Sequence, residues 1–142
     1  MKISAKTDYA CRSILELALH WPNDYPLQVN EISRRQQIPI KFLIHILIYL
    51  KEHGFVKSTR GKKGGYVLAK PPSEIRLSDL IKNFENSERR NVSHPERNNP
   101  GGIMDSVWEE VDMKLSNVLK GINFESLSER ARDSQQSFVY EI

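Results

Sequence analysis

A chain of 142 residues is about the size of one domain and can bury a real core, and its single cysteine, Cys11, excludes an intrachain disulfide framework and any site needing several thiolates from one chain. No apolar run approaches the roughly 20 residues that span a bilayer, and the start, Met1-Lys-Ile-Ser-Ala-Lys-Thr-Asp8, lacks the apolar core of a secretory signal, so a cytoplasmic protein with no membrane partner is expected. The net charge of +3 hides a strong asymmetry: residues 34–70 hold nine Lys or Arg (Arg34, Arg35, Lys41, Lys51, Lys57, Arg60, Lys62, Lys63, Lys70) against Glu52, a net +8, while the rest carries 12 basic and 17 acidic side chains, −5. Concentrated positive charge gains affinity for a nucleic-acid duplex by releasing its condensed counterions, which scattered charge of the same total does far less well.

From Lys6 to Trp21 the apolar residues Ala10, Ile14, Leu17, Ala18 and Trp21 recur at helical spacing, with Pro22 as the stop. Val29 to Gln36 reads as a short second helix with Val29 and Ile32 inward and Arg34, Arg35 and Gln36 left for solvent or phosphate; Gln37-Ile38 is the turn. Pro39 suits a first helical turn, and the helix it opens runs to about His53 before Gly54. Leu43, Ile46, Leu47 and Leu50 form its buried stripe, which turns Lys41, Ile44, His45 and Ile48 outward.

From Val56 the pattern alternates. Val56, Tyr66 and Leu68 point inward and Gly61, Gly64 and Gly65 bend a hairpin that Pro71-Pro72 ends. Leu77, Leu80, Ile81 and Phe84 mark a further helix, with Ser78 or Ser73 as its cap. Residues 86–102 contain no periodic apolar positions and are expected to be a mobile loop. After it, Met104, Trp108, Val111, Leu115, Val118 and Ile122 are separated by alternating steps of four and three, an unbroken heptad seam that seeks another helix. Leu127 to about Asp133 reads as a short last helix with a frayed end.

The third helix and the hairpin signal jointly. A helix built mainly of Leu and Ile is, alone, more often plain core. The hairpin changes that reading, since Lys57, Arg60, Lys62 and Lys63 lie within seven residues and cannot pack an interior. Its glycines would let the backbone approach a duplex, and an Arg at the tip suits a narrow minor groove. Read instead as a phosphate cradle, Arg60-Gly-Lys-Lys-Gly-Gly65 fails on context, because Tyr66-Val-Leu68 continues as a strand where a helix N-terminus is required. His94 and Glu96 in the polar loop are too few for a metal site, so no metal is expected. His20, His45, His53 and His94 are scattered, neither His-Glu-x-x-His nor Gly-x-Ser-x-Gly occurs, and Cys11 reads as a small core residue rather than a sensor. There is no catalytic constellation, and the chain is not expected to be an enzyme.

At this point the chain resembles the Rrf-two (Rrf2) family of bacterial winged helix-turn-helix transcription regulators, the IscR, NsrR and CymR type. The resemblance is carried by Met1-Lys-Ile-Ser-Ala-Lys-Thr-Asp-Tyr-Ala10, Glu31-Ile-Ser-Arg-Arg-Gln-Gln-Ile38, Phe42-Leu43, Lys51-Glu-His-Gly-Phe-Val-Lys-Ser-Thr-Arg-Gly-Lys-Lys-Gly-Gly-Tyr66 and Leu68-Ala-Lys-Pro71. It covers residues 1–85 closely and the long helix loosely. It implies a mainly α protein with a small β-hairpin wing: a DNA-binding domain at 1–85, the loop at 86–102, a long dimerisation helix at 103–122, and a short helix and tail at 123–142. It also implies a homodimer whose two heads bind a partly palindromic operator.

Family members that carry a 2Fe–2S or 4Fe–4S cluster use three cysteines in the loop before the long helix. Here that loop has none, and Asp8, the acid some members recruit, cannot hold such a cluster alone, so no cofactor is expected. A second departure is Ile44-His45, where relatives often have Glu-Gln. Ile44 suits a thymine methyl and His45 a guanine or a phosphate.

The resulting expectation is a regulator that anchors phosphates through Arg34, Arg35, Lys57, Lys62 and Lys63, reads bases through Lys41, Ile44 and His45, and contacts the minor groove through Arg60. Met104, Trp108, Val111, Leu115, Val118 and Ile122 would form its dimer seam. The signal is expected from a regulatory protein partner first, then a metabolite at the loop, then oxidation of Cys11. The competing reading is a protein-interaction adaptor whose basic hairpin meets an acidic partner; only a regulator prefers one duplex sequence over bulk competitor.

Overall fold

The computed structural model describes residues 2–22, 25–85 and 102–141. Helix α1 (Ala5–Leu19) begins at Ser4, whose hydroxyl accepts from the Thr7 N–H at 3.2 Å, and buries Ala10, Ile14, Leu17 and Ala18. It ends one residue before His20, and the Arg132 guanidinium donates to its terminal Leu19 carbonyl at 3.1 Å. Trp21, which periodicity places on the buried face, stands past the helix end and is exposed, because the chain stops being helical before that residue can turn inward.

Helices α2 (Val29–Gln36) and α3 (Ile40–Glu52) pack on α1 and on each other. Ile32 of α2 is buried and Val29 packs against the core, as their spacing predicts. Strands β1 (Val56–Thr59) and β2 (Gly65–Leu68) pair antiparallel, with Val56 opposite Leu68 and Thr59 opposite Gly65. Leu27 adds a short third edge: it and Tyr66 exchange both backbone hydrogen bonds, at 3.0 and 2.8 Å. Val56 and Leu68 are buried, and Tyr66 is half-buried against the core.

Helix α4 (Leu77–Phe84) follows a short 3-10 turn at Pro72–Glu74. Its cap differs from the expected serines: the Asp79 carboxylate reaches back to accept from the Arg76 N–H at 3.1 Å, so neither Ser73 nor Ser78 is its N-cap. Helix α5 runs Gly102–Lys120, so Ile122 falls beyond it; the Ile122 carbonyl instead accepts from the Leu77 N–H at 2.8 Å. The Phe124 N–H donates to Ile75 O at 3.0 Å, and these two bonds pin the α5–α6 junction to the start of α4.

Helix α6 spans Phe124–Glu141, much longer than the predicted Leu127–Asp133. Asn123 caps it through the Ser126 N–H at 2.9 Å, and Phe124 and Ser128 are buried where it packs on α1. The turns added after Asp133 begin with Ser134 and Gln135, polar residues with no apolar period to reveal them. The result is a mostly helical winged-helix fold: six α-helices and one two-stranded hairpin among the described residues. Most of the expected mobile loop, residues 86–101, lies outside the described residues, while Gly102 already belongs to α5. None of the described helices is long and apolar enough to cross a membrane.

Candidate nucleic-acid interface

The helix-turn-helix angle is set by three residues, Gln37, Ile38 and Pro39. Gln37 takes a left-handed conformation at φ 52°, a position normally given to glycine. The Ser33 hydroxyl holds the turn by donating to the Ile38 carbonyl at 2.6 Å, while the Ile38 N–H donates to Ser33 O at 3.1 Å. Ile38 is buried beneath it, so α3 leaves the turn in a fixed direction. On the outside, Arg12 bonds the Gln36 carbonyl at 3.1 Å and pairs with Asp8 at 2.7 Å.

Leu43, Ile46, Leu47 and Leu50 are all buried, as the periodicity of α3 predicts. Its other side carries Lys41, Ile44, His45 and Ile48, all exposed. Ile40 shares that surface. Ile40, Ile44 and Ile48 are 42, 42 and 44% exposed, so a large part of each apolar residue stays in contact with water.

Of the nine candidate contact residues, Lys57, Arg60, Lys62 and Lys63 are exposed on the wing, Lys41, Ile44 and His45 on α3, and Arg34 and Arg35 on α2. Arg35 differs from the rest. It lies 3.7 Å from Glu31 and 3.7 Å from the buried Glu16, and its guanidinium meets His20 Nε2 at 2.6 Å. Lys70, counted in the basic window, lies 5.1 Å above the Phe55 ring, so part of that window packs against the protein.

The wing glycines have two different jobs. Gly61 turns the tip at φ +108° in open space. Gly64 and Gly65 are required by close packing within the protein: a Cβ would lie 2.4 Å from Thr59 O at Gly64 and 2.3 Å from Leu27 O at Gly65. Gln28, absent from the sequence-based site, donates from its side chain to the Lys62 carbonyl at 3.1 Å and steadies the tip.

Cys11 sits half-buried in α1, and burial, with the Asp8 charge second, pushes its thiol up to about 12. Among the described residues no cluster of His, Cys, Asp and Glu is placed to hold a metal; His94 and Glu96 fall outside them. On α5, Met104, Trp108, Val111 and Val118 are exposed and Leu115 is half-buried. No residue of α5 is buried among the described residues.

Comparison with known proteins agrees with this architecture. The sequence profile of the Rrf2 family, described as an iron-dependent transcriptional regulator, matches residues 3–130. The HTH-type transcriptional regulator IscR of Aliivibrio salmonicida is 31% identical over 130 residues, covering 89% of this chain and 77% of that protein. The structure of T. potens IscR superposes with a TM-score of 0.78 at 30% identity, covering 95% of this chain and 91% of the other. CymR, the global cysteine regulator of B. subtilis, gives 0.74 at 27% identity, with 92% and 98% covered.

Proposed function

The chain belongs to the Rrf2 family of transcriptional regulators, DNA-binding proteins and not enzymes, and from that premise we propose that it is a homodimeric, sequence-specific regulator working without an iron–sulfur cluster. The observation that carries this reading is the surface pairing of an outward face of α3 with a wing whose Lys57, Arg60, Lys62 and Lys63 are all exposed. Arg34, Lys57, Lys62 and Lys63 anchor phosphates, with Arg35 in a secondary part because acids already hold it. Lys41, Ile44 and His45 face the major groove, and Arg60 enters the minor groove.

The iron-dependent description of the family does not fit this donor set. The whole chain has one cysteine, too few for a cluster that is held by several thiolates. No step of the proposed mechanism passes through a cluster. Dimerisation is supported by α5, on which Met104, Trp108, Val111 and Val118 are exposed at heptad spacing in the single chain. Two symmetric heads then meet half-sites one or two helical turns apart, about 34 Å per turn.

The test is operator binding by Arg60→Ala and Lys57→Ala as salt is raised. Each phosphate contact contributes about 0.9 to the slope of log K against log salt, so Lys57→Ala in both heads should lower the slope by about 2. Arg60→Ala should weaken binding without changing the melting curve. An unchanged affinity in a folded Arg60→Ala protein contradicts the reading.

A further inference from the structure

The exposed face of α3 has a chemistry that goes beyond general DNA binding. Ile40, Ile44 and Ile48 stand four residues apart, a single ridge along the helix. At 1.5 Å rise per residue the ridge is about 12 Å long, the length of between three and four base-pair steps at about 3.4 Å each. Isoleucine is a costly choice there, because its branched Cβ loses rotamer freedom in a helix and the 42–44% of each residue left exposed gains nothing from burial in the single chain. The whole helix, Ile40–Glu52, contains no Arg, Asn or Gln. It therefore lacks the guanidinium that grips guanine and the amides that grip adenine in two-point contacts.

Resting on the reading of α3 as the helix that enters the major groove, we infer that the Ile40–Ile44–Ile48 ridge reads thymine 5-methyl groups, and that the half-site opposite it is rich in thymine. The major-groove edges of the four base pairs offer one apolar group, the thymine methyl, and an apolar ridge has no other partner there. The charges around the ridge identify the occupant as a polyanion rather than an apolar protein face. Lys41 and His45 lie beside it on α3, and Lys57, Arg60, Lys62 and Lys63 are all exposed on the wing that follows. Phosphates gripped by these groups bring the groove floor to the isoleucines, which then lose their water.

The test uses the full-length protein and an operator selected from random duplexes. Thymines opposite α3 are replaced, one and then two at a time, by deoxyuridine, which removes the methyl and leaves every donor and acceptor in place. Affinity should fall about fourfold per methyl, the ratio expected for one buried methyl-sized group. In Ile44→Ala, exposed and so expected to fold normally, the difference between thymine and deoxyuridine should vanish at one position; Ile48→Ala serves the neighbouring position.

Equal binding of thymine and deoxyuridine duplexes overturns the inference. If that binding still depends on salt and Arg60, the regulator reading stands and only the methyl readout falls. Recovery of no preferred duplex overturns both.

Discussion

The guanidinium of Arg35 lies 3.7 Å from the carboxylate of Glu16, a side chain only 6% exposed, while Arg35 itself is 37% exposed. A residue that looks like a free phosphate anchor in the sequence is thus also the counter-charge of a buried acid in α1. Arg35→Ala should lower unfolding free energy by about 1–2 kcal/mol, less than the loss of a fully buried pair because the guanidinium is partly solvated. Arg34→Ala should stay within about 0.5 kcal/mol of the parent. Denaturant melts of the two variants check the contrast, and equal melts would show that the Glu16 contact contributes nothing.

Gly65 and Gly61 both take a positive φ, at +154° and +108°, but only Gly65 is also closed in by packing. A Cβ at Gly65 would sit 2.3 Å from Leu27 O, a backbone atom that cannot yield, whereas Gly61 has nothing within 4 Å. Gly65→Ala should cost about 3 kcal/mol or more, and Gly61→Ala about 1–2 kcal/mol from its positive φ alone. Melting temperatures in the same buffer decide the order.

Thr7 and Glu85 tie the start of α1 to the end of α4. The buried Thr7 hydroxyl donates to Glu85 Oε1 at 2.6 Å, and the same oxygen accepts from the Ser4 N–H at 2.8 Å. Thr7→Val keeps the shape and removes the hydroxyl donor, so it should destabilise by about 1–2 kcal/mol. Hydrogen exchange should quicken at the end of α4 more than in α3.

Cys11 should be a slow nucleophile. Its thiol, ordinarily near 9.0, is raised to about 12, so at pH 8 the native protein should react with a thiol reagent far more slowly than the unfolded chain. The sign for stability follows from linkage. Above pH 9 the unfolded thiol loses its proton while the folded one keeps it, so this contribution is complete below about pH 9 and is lost as pH rises toward about 12. Melts of the parent and Cys11→Ser between pH 8 and 10 should diverge in that direction, the parent losing more.

Local periodicity made α1 to α4 and the wing legible, down to all four buried residues of α3, because side chains repeating at one face of a helix report where the core is. Signals without periodicity were harder to see. Helix α6 has no helical apolar period across 128–136, where Ala131 is the one apolar residue in the sequence, and its start is fixed by the Asn123 cap. Trp21 fits the helical spacing but comes after the helix has ended.

Long-range contacts were invisible for a different reason. Glu31 is one helical turn from Arg35 and foreseeable, but Glu16 reaches it only because α1 and α2 cross. Gly64 and Gly65 read as flexibility for a ligand, and their actual constraint is the Thr59 and Leu27 backbone. The basic and apolar surface of α3 and the wing was legible residue by residue, since exposure there follows from what the core stripe leaves outside.

The most direct test of a cluster-free, DNA-reading dimer is selection of duplexes from a random pool by the purified full-length protein, with the absorption spectrum recorded on the same sample. Enrichment of a palindrome by a colourless protein that elutes as a dimer is the predicted result. No enrichment over bulk competitor, or a visible iron–sulfur band in the DNA-binding fraction, would contradict it.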